Sequence, residues 1–133
     1  MIVMSATELE TEQVLPRHVP KPWGHEIWWA ATGEYVGKIL HVHQGHRLSL
    51  QYHEIKDETC YVLSGRLLLI QGETADNLTE RVVSVGDVWR NRPGVIHTIE
   101  ALEDSDVLEA STPYLEDVVR LSDNYGRAGT SAI

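Results

Sequence analysis

The feature that most restricts how this chain can fold is its run length. About ten short stretches rich in Val, Ile, Leu, Tyr and Trp follow one another at near-regular spacing, which is the pattern of an all-β domain. They cover 26–30, 35–43, 47–53, 59–63, 66–71, 80–85, 88–91, 97–101, 107–111 and 118–122. Turn signals separate them: Thr32-Gly33, Gln44-Gly45, Ser64-Gly65, Gly72, Gly86-Asp87 and Pro93-Gly94. No segment holds an i, i+3, i+4, i+7 apolar face for three turns, so long helices are not expected. Short strands closed on themselves as a sandwich or barrel are the remaining solution.

Length and charge narrow the function classes. At 133 residues with 42% apolar and 23% charged residues, the chain reads as one ordinary globular domain. Its net charge of -9 repels phosphate backbones and anionic lipid surfaces, so neither nucleic acid nor membrane is an expected partner. No apolar stretch approaches a membrane span, and the acidic start lacks the basic region of a leader peptide. Cys60 stands alone, so no disulfide framework is expected and a reducing, cytoplasmic compartment is the default. Residues 1–16 read as a flexible arm or a strand swapped onto a partner, 17–127 as the barrel and 128–133 as a tail.

Strand alternation then predicts which side chains share a face. In 47–53 one face holds Arg47, Ser49, Gln51 and His53, and the other holds Leu48, Leu50 and Tyr52. If the polar set points inward the barrel has a polar interior, and such an interior is a site, because unsatisfied polar groups are costly to bury. Glu58 and His97 join Gln51 and His53 on later strands. Two imidazoles, a carboxylate and an amide oxygen suit a borderline divalent cation: Zn, Fe(II), Mn, Co or Ni. His41, His43 and His46 form a rival cluster, read here as an exposed strand face rather than a second metal site. Trp28 and Trp29 fall on opposite faces, so one of them is expected to meet solvent or a partner.

Two stretches carry a family resemblance. Gly45-x5-Gln51-x-His53-x4-Glu58-x6-Gly65 resembles the first cupin motif with Gln for its first His. Gly86-x6-Pro93-Gly94-x2-His97 resembles the second, with Pro one place late and Ala101 in place of the closing Asn. Three segments narrow the likeness: Lys21-Pro-Trp-Gly24, Gly45-His-Arg-Leu-Ser-Leu-Gln-Tyr-His53, and the stretch from Asp117 to Arg127. These are similar to the type II phosphomannose isomerases. The resemblance implies a single-domain double-stranded β-helix (jelly-roll) barrel. It also implies one divalent metal per chain, zinc first, on Gln51, His53, Glu58 and His97, and a homodimer.

The same likeness implies an aldose–ketose isomerase acting on a sugar phosphate such as mannose 6-phosphate. The family's further His and Arg after the ligand pair are missing; Glu54, Ile55 and Lys56 stand there instead. Lys56 or Glu54 is the candidate proton-transfer group. Arg47, Ser49, Arg92 and Arg127 are the candidate sugar-phosphate contacts, Arg being suited to a bidentate grip. A non-catalytic sugar-binding or regulatory module and a metal-dependent dioxygenase stand as alternatives.

Overall fold

A computed structural model of the chain describes residues 15–129. The arm expected over 1–16 and the tail expected over 128–133 therefore lie mostly outside the described residues. Among the described residues eleven strands form: β1 (Arg17–Lys21), β2 (Gly24–Ala31), β3 (Val36–Val42), β4 (Leu50–Tyr52), β5 (Glu58–Ser64), β6 (Arg66–Gly72), β7 (Thr79–Ser84), β8 (Val88–Asn91), β9 (Ile96–Ala101), β10 (Ser105–Ser111) and β11 (Val119–Ser122). Ten correspond to the predicted runs. The extra one, β1, carries Pro20 and pairs only with β2 at the edge of its sheet, where a missing N–H costs no ladder bond.

The strands build two antiparallel sheets, ordered β1-β2-β3-β10-β5-β8 and β11-β4-β9-β6-β7. Alternation places Cys60 and Val62 of β5 between the sheets with Val107, Leu67, Leu69, Ile99 and Trp89. Trp28 is buried and Trp29 is half exposed, as opposite faces require. Gly65 makes the β5–β6 turn at φ 87°. A side chain there would also collide with Ser105, so the position admits only glycine.

The interior is not uniformly apolar, and register explains where the charges sit. In the six-stranded sheet one inward row runs Trp28, Lys38, Glu109, Cys60, Trp89 across β2, β3, β10, β5 and β8. In the five-stranded sheet a row runs Arg120, Gln51, His97, Gln71 across β11, β4, β9 and β6. Most of these side chains face one cavity.

Buried charge has to be paired, and it is. Glu26 lies 3.4 Å from Lys38 Nζ and accepts a 2.7 Å hydrogen bond from the Trp28 indole, over which the Lys38 ammonium sits 4.8 Å from the ring centroid. Burial alone would raise the Glu26 pKa; Lys38, then Lys21 and the Trp28 hydrogen bond, reverse this and hold it at about 2. The unfolded chain thus takes up this proton more readily than the folded one. The stabilisation is present above about pH 4.5 and is lost as pH falls towards 2. Glu26→Gln is expected to destabilise the fold by about 3 kcal/mol by orphaning a buried ammonium. Urea unfolding at pH 7 measures this, and an unchanged midpoint would contradict it.

Candidate metal centre and anion pocket

The inward rows of the two sheets enclose a cavity of about 80 Å³ that opens to solvent. At its floor three side chains converge, His53 from the loop after β4, Glu58 at the start of β5 and His97 on β9. All three are buried. His53 Nε2 lies 2.7 Å from Glu58 Oε1, and His97 Nε2 lies 4.0 Å from the same oxygen.

Both imidazoles are oriented by backbone carbonyls. His53 Nδ1 donates to Asp117 O at 2.6 Å and His97 Nδ1 donates to Val95 O at 2.9 Å. A carbonyl only accepts, so each Nδ1 carries a proton and each Nε2 is turned into the cavity. Neither Nε2 has a hydrogen-bond partner. Burial, ahead of the opposing effect of Glu58, pushes His97 below the usual histidine range and keeps it a neutral donor. A proton shared between His53 and Glu58 would satisfy that pair and leave His97 unaccounted for. One divalent cation satisfies all three atoms, so the donor set fits a metal.

Glu58 is prepared for this role. Its Oε2 accepts from Asn91 Nδ2 at 3.4 Å and from the Cys60 thiol at 3.6 Å, leaving Oε1 for the two histidines. Burial would protonate it, but the Lys56 ammonium 3.7 Å away holds it well below the carboxylate range. Gln51 sits directly across from His97 on β4 and lines the cavity. Its oxygen already accepts a 2.6 Å bond from Ser49, which leaves one lone pair for an ion.

Other predicted site residues fall elsewhere. Arg47 does not share the inward face: it bridges to Glu100 outside the cavity, its Nε 3.1 Å from the carboxylate, because the chain forms only an isolated bridge there and β4 starts at Leu50. Glu54 is exposed in the loop whose backbone N–H groups Asp117 gathers, so its side chain is not in the cavity. Arg92 is exposed and also lies off the cavity lining. Lys56 is in the cavity but locked between Glu109 at 3.3 Å and Glu58 at 3.7 Å. Burial would deprotonate it, yet Glu109 and Glu58 raise its pKa above the ordinary lysine value, so it is a fixed cation and not a base. Ser49 and Arg127 do line the cavity, Arg127 being held by a two-pronged pair with Asp123 at 3.0 Å. Cys60 is a buried thiol whose pKa desolvation drives well up, an inert neighbour of Glu58.

Sequence reasoning missed the opposite wall. Lys21, Lys38 and Arg120 join Lys56 and Arg127, so five basic side chains face three carboxylates, Glu26, Glu58 and Glu109. A cavity of positive excess inside a chain of net charge -9 is a local feature that total charge conceals. Lys21 is distinctive. Desolvation lowers its pKa to about 8, with Lys38, Arg120 and Arg127 adding to the effect against Glu26. Alternation along β3 and β10 could have revealed Lys38 and Glu109, which share faces with Leu40 and Val107. Lys21 could not be placed without β1.

No family model and no curated protein matches the sequence. Solved structures do match in fold. KdgF from Halomonas sp. is similar at 23% identity and TM-score 0.63, over 70% of this chain and 82% of that one. Oxalate decarboxylase from Bacillus subtilis is similar at 16% identity and TM-score 0.71, over 80% of this chain, which spans only 30% of its length. An RmlC-like cupin from Shewanella frigidimarina is similar at 15% identity and TM-score 0.64, over 74% and 85%. At these identities the likeness establishes the cupin fold, the jelly-roll the sequence motifs imply.

The geometry yields a direct test. His97→Ala or Glu58→Gln is expected to abolish zinc uptake in the cavity. Asp117→Ala keeps every donor but frees the ligand loop, and is expected to weaken uptake by about ten- to a hundredfold. Competition with a chelating dye reads both effects, and uptake by all three variants equal to wild type would contradict the assignment.

Proposed function

We propose that this cupin-fold chain is a metal-dependent isomerase that interconverts the aldose and ketose forms of a small anionic sugar, a sugar phosphate first. The observation that carries the reading is one cavity holding both a histidine–carboxylate donor set and an excess of basic side chains. His53, Glu58 and His97, with Gln51 across from His97, would hold the metal. When bound, the ion supplies positive charge beside the sugar's carbonyl and hydroxyl oxygens and so favours the enediolate.

The remaining work falls to the chain's own residues. Arg120 and Arg127 would grip the phosphate, which must be desolvated on entry and so needs fixed cations. Lys21 would move the proton. Neutral Lys21 removes the hydrogen from the carbon next to the carbonyl, the hydroxyl proton on that carbon's oxygen passes to the former carbonyl oxygen, and the resulting ammonium returns its proton to the former carbonyl carbon, so no redox partner is needed. A lysine at about 8 has an appreciable neutral fraction near neutrality, which an ordinary lysine lacks. Lys56, the base candidate on sequence grounds, instead keeps Glu58 ionised. The buried floor around Trp89 and Leu69 limits water access, which protects an enediolate from side reactions.

Two experiments test this reading. A panel of aldose and ketose phosphates, with sugar acids as the second anion class, is expected to show isomerisation that a chelator removes and zinc restores. Turnover of none, with thermal stabilisation by sugars alone, would support a binding module. Oxygen uptake with ferrous ion would support an oxygenase. For the active substrate, kcat/KM is expected to rise with pH through a limb near 8. Lys21→Met should flatten that limb and lower kcat by about a hundredfold or more with metal content unchanged. A Lys21→Met enzyme with wild-type kcat would remove Lys21 from the chemistry.

A further inference from the structure

We infer that the outer face of the six-stranded sheet carries a second transition-metal site, formed by His25, His41 and His43 with Asp106 behind His41. The cavity metal uses His53 and His97, and nothing about that site calls for histidines on the opposite face of the sheet.

The placement follows from register. His25 on β2 is the direct cross-strand partner of His41 on β3, and His41 is in turn the partner of Asp106 on β10. Inward positions of β3 are taken by Lys38, Leu40 and Val42, so His41 projects outward, and His43 follows two residues later on the same side. The His25 and His41 ring centroids lie 5.0 Å apart, and those of His41 and His43 also lie 5.0 Å apart at 82°. One imidazole pair is thus stacked and the other edge-on, and the rings would have to turn about their terminal torsions to present three nitrogens to one ion. Those torsions are soft.

The second observation concerns Asp106. Its Oδ1 lies 2.7 Å from His41 Nδ1, and its Oδ2 accepts a 3.1 Å bond from the Ser64 hydroxyl. The carboxylate can only accept, so Nδ1 of His41 carries a proton and Nε2 is the atom left to face an ion. A carboxylate, oriented by a further donor and fixing a histidine's tautomer, is the arrangement that supports metal-binding imidazoles. Three imidazoles with an open fourth position suit zinc, and suit copper(II) or nickel(II) on the same grounds. The chain's net charge of -9 favours any cation at its surface.

Zinc stoichiometry of tag-free protein, equilibrated with buffered free zinc, tests the inference. His41→Ala is expected to hold one zinc fewer per chain than its parent, both in the wild type and in a His97→Ala background that silences the cavity site. The same zinc content in His41→Ala as in its parent overturns the proposal. His41 is partly exposed, so the substitution leaves the core intact. Asp106→Asn retains all three ligands and is expected to weaken zinc uptake at this site by about ten- to a hundredfold. In His97→Ala, zinc is expected to shift the ring-proton signals of His25, His41 and His43. Shifts confined to other histidines would overturn the ligand set.

Discussion

The structure depends on one buried carboxylate. Glu58 faces the Nε2 atoms of two buried imidazoles, and an ionised group there needs positive charge from somewhere. Lys56 supplies part of it from one side and is itself claimed by Glu109 on β10. Glu109 lies across the strand pair from Lys38, which is held by Glu26. Sign alternates along this chain of contacts. Removing one member leaves an uncompensated charge at the next, and this couples the metal centre to the stability of the sheet.

Topology turns that electrostatic requirement into a site. The inward rows of the two sheets face one another: one brings Lys38 and Glu109, the other Arg120, Gln51 and His97. Neither row makes a site alone. Asp117 joins them, because its carboxylate gathers the N–H groups of residues 54–56 while its carbonyl orients His53. The loop carrying a ligand is therefore fixed by the segment leading into β11, which also delivers Arg120. The buried histidine–carboxylate set and the cavity arginine are held by the same few residues.

Much of this is legible in the sequence, and the boundary is physical. Strand runs, turn glycines and the positions of His53, Glu58 and His97 follow from periodicity and motif spacing, because both are local. Arg47 marks the limit: strict alternation predicts it inward, but pairing breaks down between its isolated bridge and β4, and the face changes. Lys56 falls in the cavity but between two carboxylates, since only the fold brings Glu109 within 3.3 Å of it. Lys21 escapes notice for a related reason. Its strand contains a proline and is short, and its lowered pKa arises first from burial and then from Lys38, Arg120 and Arg127, which are distant in sequence.

The central claim is that a single cation is held by His53, Glu58 and His97 at the floor of the cavity. A crystal structure of zinc-loaded protein with data collected at the zinc edge tests it most directly. The account predicts an anomalous difference peak within about 2.0–2.2 Å of His53 Nε2, His97 Nε2 and Glu58 Oε1. A zinc-loaded crystal with no peak in the cavity, or with His53 and Glu58 still in direct contact at 2.7 Å, would contradict it.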